Sequence, residues 1–119
     1  RIALGQINTT VGDLSGNVRQ ILEIARRAEA EGTDVLLTPE LSLCGYPPED
    51  LLLRPDFYRS VDLALADLAR ETTDLDMAIV VHDPAVELHA GLDPLDHHHG
   101  YGVGGVVQYE VIHVGIPCG

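Results

Sequence analysis

The chain contains no lysine: all seven basic residues are arginine, and beyond Arg70 the remaining 49 positions carry no cationic side chain other than histidine. With 19 acidic residues the formal net charge is −12. Neutralising phosphates requires clustered Lys and Arg, so nucleic acids and anionic membrane surfaces are excluded as partners. The acidic excess favours solubility. Cysteine is nearly missing too, with only Cys44 and Cys118; that is too few for a disulfide framework and suits a reducing compartment. No apolar run approaches the roughly 18 residues of a spanning helix, and no signal-peptide pattern opens the chain. A cytoplasmic location is therefore expected, and a start at Arg1 rather than Met is expected of a trimmed sequence.

What is present is enough for one modest domain: 119 residues, 45% of them apolar, the share of an ordinary globule. Ile2 to Asn8 is mostly apolar, as a strand buried on both faces would be. After a turn at Thr9–Asp13, the stretch Ser15-Gly16-Asn17 offers N-cap oxygens. Val18, Ile21, Leu22, Ala25 and Ala28 then recur at helical spacing, and Gly32 suits the left-handed position after a last turn. Val35-Leu36-Leu37 reads as a second buried strand. Pro55 suits a helix start, and Phe57, Val61, Leu65 and Leu68 give a second amphipathic helix to about Arg70. Met77–Val81 is a third strand ending at His82-Asp83-Pro84. The sum is an α/β layer, strand–helix–strand–helix–strand, followed by an irregular tail.

The stretch with most chemical content is Thr38 to Asp50. Pro39 has no N–H for a ladder, so strand pairing should stop there, leaving Glu40 at the carboxyl end of a strand. In open α/β sheets ligands bind at that end. Gly45 and Pro47-Pro48 would stiffen the loop. A carboxylate so held is a candidate general base, although a solvated or capping glutamate occupies the same kind of position.

Past Pro84 the pattern weakens. Gly91–Gly105 reads as a loop containing His97-His98-His99, and Gly105–Val114 has strand propensity suited to an edge strand or hairpin arm. Adjacent histidines rarely converge on one metal ion, so a solvated loop is the expectation there and no metal site is assigned. Gly100–Gly105 lacks both the dinucleotide-binding spacing and a Walker lysine, so no phosphate cradle is expected.

Ile2–Asn8, followed by Val11-Gly12-Asp13 and Gly16-Asn17, resembles the opening of the nitrilase (carbon–nitrogen hydrolase) superfamily, and Pro39-Glu40-Leu41 resembles its catalytic-glutamate segment. The extension Gly45-Tyr46-Pro47-Pro48-Glu49-Asp50-Leu51-Leu52 is similar to the N-terminal glutaminase domain of bacterial glutamine-dependent NAD⁺ synthetases. The resemblance covers residues 2–82 and divides the chain into a nitrilase-like part, 1–82, and an unaligned Gly/His-rich tail, 83–119. It implies an incomplete α-β-β-α sandwich and Glu-Lys-Cys chemistry on glutamine. It implies an ATP- and Mg-dependent synthetase domain as partner, no cofactor in this segment itself, and homo-oligomeric assembly.

Residue by residue, Glu40 matches the general base and Tyr46 a tyrosine of the glutamine pocket, although Tyr46 could equally pack half-buried against its own loop. The lysine has no counterpart, and Cys118 stands in a context unlike that of the nucleophile. Cys44 lies where the superfamily does not place its nucleophile, and a packing role is expected for it. Similarity and basic residues fade together near residue 82, as a frame change, a truncation or divergence would produce. The segment alone is therefore expected to hydrolyse little or no glutamine. The alternatives are a non-catalytic nitrilase-like interaction module, or another carbon–nitrogen hydrolase amidase.

Overall fold

The computed structural model describes residues 1–82 and, as backbone, 109–114. Its elements are β1 (Ile2–Leu4), α1 (Leu14–Ala30), β2 (Val35–Leu37), a 3-10 turn (Glu49–Leu53), α2 (Pro55–Glu71), β3 (Met77–His82) and β4 (Tyr109–Val114). The sheet order is β1-β2-β3-β4. The first three strands are parallel, and β4 runs antiparallel to β3 with Ile112 opposite Ile79. The expected edge strand is thus present over 109–114. His97, His98, His99, Cys118 and the glycine run 100–105 lie outside the described residues.

The helices form where the apolar stripes run. From α1, Val18, Ile21, Ala25 and Ala28 turn inward, and α2 adds Phe57, Val61, Ala64, Leu65 and Leu68. They share one core with Leu36, Met77, Ile79 and Val81 of the sheet. Pro55 opens α2, and Gly32 after α1 has φ +78, both as the sequence suggests. The N-cap differs from expectation. Asp13 caps α1, its carboxylate accepting from the Gly16 N–H at 3.1 Å, and Ser15–Asn17 lie inside the helix. Asp13 reaches that N–H from just before the first turn, where an N-cap oxygen must lie.

The expectation that the strands are buried on both faces is also corrected. Register places Ala3, Leu36 and Ile79 in one row, with Leu36 and Ile79 buried. The neighbouring row is Leu4, Leu37 and Val80, and Leu4 is 73% exposed. Side chains alternate across a strand, so helices on one side leave Ile2 and Leu4 on the other side uncovered. An uninterrupted apolar run records the composition of both faces but not whether a second layer is there to cover them.

Arg26 joins α1 to the turn before β3, bonding the Asp74 carboxylate at 3.1 Å and the Glu71 carbonyl at 3.1 Å. That guanidinium, with backbone bonding in support, holds the Asp74 carboxyl below its ordinary value of 3.8. A depressed carboxyl contributes stability above its unfolded pKa, and the contribution is lost as pH falls through the folded value. Urea unfolding midpoints of the parent and Asp74→Asn should therefore differ slightly at neutral pH. They should converge as the pH falls through the lowered folded-state value of Asp74, below which both side chains are uncharged.

Candidate active-site loop

Beyond β2 the chain enters a compact loop. Ser42 N–H bonds the Pro39 carbonyl at 3.1 Å and Gly45 N–H the Leu41 carbonyl at 2.8 Å, so the loop folds back on itself twice within seven residues, Pro39 to Gly45. Leu41 takes a left-handed backbone at φ 51 while its side chain is buried, and this brings Leu43 and Cys44 inward as well. A left-handed residue other than glycine costs about 1–2 kcal/mol, so burial of three neighbours offsets a strained turn.

Both ends of the loop are tied down. On the β3 side, Thr38 N–H and its hydroxyl both donate to the Val80 carbonyl, at 3.1 and 2.9 Å. The buried Ser42 hydroxyl donates to Thr38 Oγ1 at 2.8 Å. On the β1 side, Gly12 N–H donates to the Cys44 carbonyl at 2.9 Å, and the buried Asn17 amide donates to the Leu43 carbonyl at 3.0 Å. Gly45, at φ +85, lies so close to the Thr10–Val11 backbone that a Cβ would come within 2.6 Å of Val11 Cα and N.

Glu40 sits on this framework with its side chain exposed, and among the described residues it has no hydrogen-bond or ion-pair partner. It is three residues past the end of β2, on the carboxyl side of the parallel strands. Tyr46 is on the same loop, 64% exposed and without a hydrogen bond to the loop backbone among the described residues. The half-buried packing role open to it in the sequence is therefore not what the fold gives it. Cys44 is fully buried, its Sγ 3.7 Å from the Leu41 and Gly45 carbonyl oxygens, as befits a packing residue and not an accessible nucleophile.

Three open concavities on the described surface are lined without Glu40 or Tyr46. One of them, about 460 Å³ with Leu51, Arg54 and Phe57 in its wall, lies beside the start of α2. Nor do any three His, Cys, Asp or Glu side chains among the described residues converge as a metal ion would require.

The Glu40 loop thus stands at the carboxyl end of a parallel strand, in a sheet that α1 and α2 cover on one face. The chain matches the carbon-nitrogen hydrolase family over residues 1–93 and belongs to it. It is 50% identical over 70 residues to a glutamine-dependent NAD(+) synthetase of Synechocystis, a match covering 59% of this chain and 12% of that protein. The chain thus spans about one eighth of that relative's length. Its fold is similar to the glutamine-dependent NAD+ synthetase of Acinetobacter baumannii, solved in complex with ADP: TM-score 0.56, 31% identity, 67% of this chain and 15% of that one. It is also similar to an amidase from Nesterenkonia sp., with TM-score 0.61, 34% identity, 67% of this chain and 30% of that one. One solved form of that amidase carries an acetamide moiety joined covalently to its active-site cysteine.

From sequence alone Asn17 reads as a helix-start residue and not as part of the site. A signal was there: a polar amide beside Val18 on the apolar stripe of an amphipathic helix. Thr38 and Ser42 carried none, since hydroxyls flanking a loop glutamate suit solvent equally well.

Proposed function

We propose that residues 1–82 form the first part of a glutamine-hydrolysing domain that supplies ammonia for NAD⁺ synthesis, with Glu40 as general base and Tyr46 at the glutamine pocket. The reading rests above all on Glu40 being presented to solvent, without a competing partner among the described residues, by a loop fastened at both ends. In this chemistry a cysteine thiol gives its proton to the Glu40 carboxylate, and the sulfur attacks the side-chain amide carbon of glutamine. The protonated Glu40 then passes that proton to the departing ammonia, leaving a thioester. Finally Glu40 takes a proton from water, which hydrolyses the thioester to glutamate and restores the thiol. A lysine ammonium would stabilise the oxyanion.

This sequence has no lysine, and Cys44 is buried, so residues 1–82 supply neither the lysine nor an accessible cysteine. The isolated chain accordingly releases little or no ammonia. ATP and Mg would serve the partner synthetase domain. The test is a chimaera in which residues 1–82 replace the matching segment of the Synechocystis synthetase, which supplies what is missing. Glutamine-dependent ammonia release by the chimaera supports the reading, and a soluble, folded chimaera without it overturns the reading.

The bare sheet face favours a second reading, in which the segment acts by association, as a non-catalytic module or within a homo-oligomer. Ile2 is 68% and Leu4 73% exposed, and across the three parallel strands their rows add only the apolar Val35, Leu37, Ala78 and Val80. Contiguous apolar surface of this kind marks an interaction site. Leu4→Glu in the 119-residue chain should shift its sedimentation-equilibrium mass towards that of a single copy. An unchanged oligomer would remove this face from assembly.

A further inference from the structure

Asn17 is fully buried, yet it lies in the first turns of a helix whose other inward residues are apolar. Its side chain makes three hydrogen bonds, all to backbone. Oδ1 accepts from the Thr10 N–H at 2.9 Å, and Nδ2 donates to the Thr10 carbonyl at 2.8 Å and the Leu43 carbonyl at 3.0 Å. One amide thus uses both of its donors and its acceptor to join the loop after β1 to the loop after β2. Sheet hydrogen bonds do not join these two loops to each other, because β1 ends at Leu4 and β2 at Leu37. Beside this joint, Gly12 N–H bonds the Cys44 carbonyl, and Gly45 has no side chain to keep the two backbones apart.

We propose that Asn17 is a positioning residue: it sets the place and orientation of the Glu40 loop from a rigid helix, three residues along the chain from Glu40 at Leu43. The inference rests on the reading of Glu40 above for its catalytic meaning, but its structural content stands apart from it. Aspartate shows why an amide is required. It has nearly the same shape and keeps the acceptor for Thr10 N–H, but an ionised carboxylate would face two carbonyl oxygens with nothing to donate. Serine has a single donor and cannot serve both carbonyls. A buried donor or acceptor left unpaired is costly, so the two loops should separate rather than stay joined around either replacement.

The experiment uses the 119-residue chain labelled with ¹⁵N, as parent, Asn17→Asp and Asn17→Ser. Amide hydrogen exchange is read at Gly12 and Gly45, whose N–H groups bond within the joined loops, and at Thr38 and Ala78, whose N–H groups bond Val80 and Asp34 in the sheet. Exchange should quicken tenfold or more at Gly12 and Gly45 while Thr38 and Ala78 keep their protection. Residual dipolar couplings of the Glu40 and Leu41 amides should change relative to those of β2 and β3. If protection falls equally at all four sites, or the Glu40 and Leu41 couplings stay at parent values, Asn17 is a general packing residue and the proposal is overturned. Should Asn17→Asp not fold, Asn17→Ser carries the same comparison, as it buries no charge. These couplings bear on Asn17 alone, whereas ammonia release by a Glu40 variant bears on Glu40 alone, so the two failures are distinguishable.

Discussion

Glutamine-dependent ammonia release by the chimaera should fall by about 10²–10⁴-fold when Glu40 is changed to Gln, the range that removal of a general base commonly produces. The amide keeps the size of the side chain and the loop around it, but it cannot take a proton from sulfur or from water. Because Glu40 is exposed and bonds no other described residue, the substitution should leave the unfolding midpoint almost unmoved. That separation is the useful part of the measurement. A variant that loses activity and keeps its stability has lost chemistry, whereas equal ammonia release from parent and Glu40→Gln would end the assignment of Glu40 as base. Tyr46→Phe, by the same assay, should raise KM more than it lowers kcat if its hydroxyl belongs to the pocket.

A second large effect is expected at Gly45, this time on folding. Among the described residues Gly12, Gly32 and Gly45 share nearly the same backbone, and Gly32 at φ +78 and Gly45 at φ +85 make the sharpest contrast. A Cβ added at Gly32 meets nothing within 4 Å, while one at Gly45 would lie 2.6 Å from Val11 Cα and N and 2.7 Å from the Thr10 carbonyl carbon. Gly32→Ala should therefore cost only the left-handed backbone term, about 1–2 kcal/mol. Gly45→Ala should cost that and, in addition, the about 1–3 kcal/mol typical of overpacking, because the atoms in the way are backbone and cannot swing aside. For a small domain with a total stability of about 5–15 kcal/mol, the larger loss should be plain in a urea titration. Equal midpoints for the two alanine variants would mean that the loops after β1 and β2 do not approach each other as described.

The helical stripes, the alternation of strands and helices and the glutamate at a strand end were all legible from residue spacing. Each depends on contacts within a few residues: Val18 to Ala28 share a face because 3.6 residues make a turn, and Pro39 ends a strand because it lacks an N–H. The family likeness was legible too, since the Pro39–Leu41 and Gly45–Leu52 segments keep their order along the chain.

Other features depended on residues far apart in sequence. Asn17 reads as a helix-start residue until Leu43, 26 positions on, is brought against it. Gly45 reads as an ordinary loop glycine until the Thr10–Val11 backbone is packed across it. Whether Ile2 and Leu4 are covered depends on which side of the sheet the helices occupy, and alternating side chains do not encode that choice locally. The sequence by itself determined the elements and the carboxylate at the strand end. Only the tertiary structure decided what holds that carboxylate in place and which face of the sheet stands open, because backbone carbonyls and empty space carry no mark in the order of side chains.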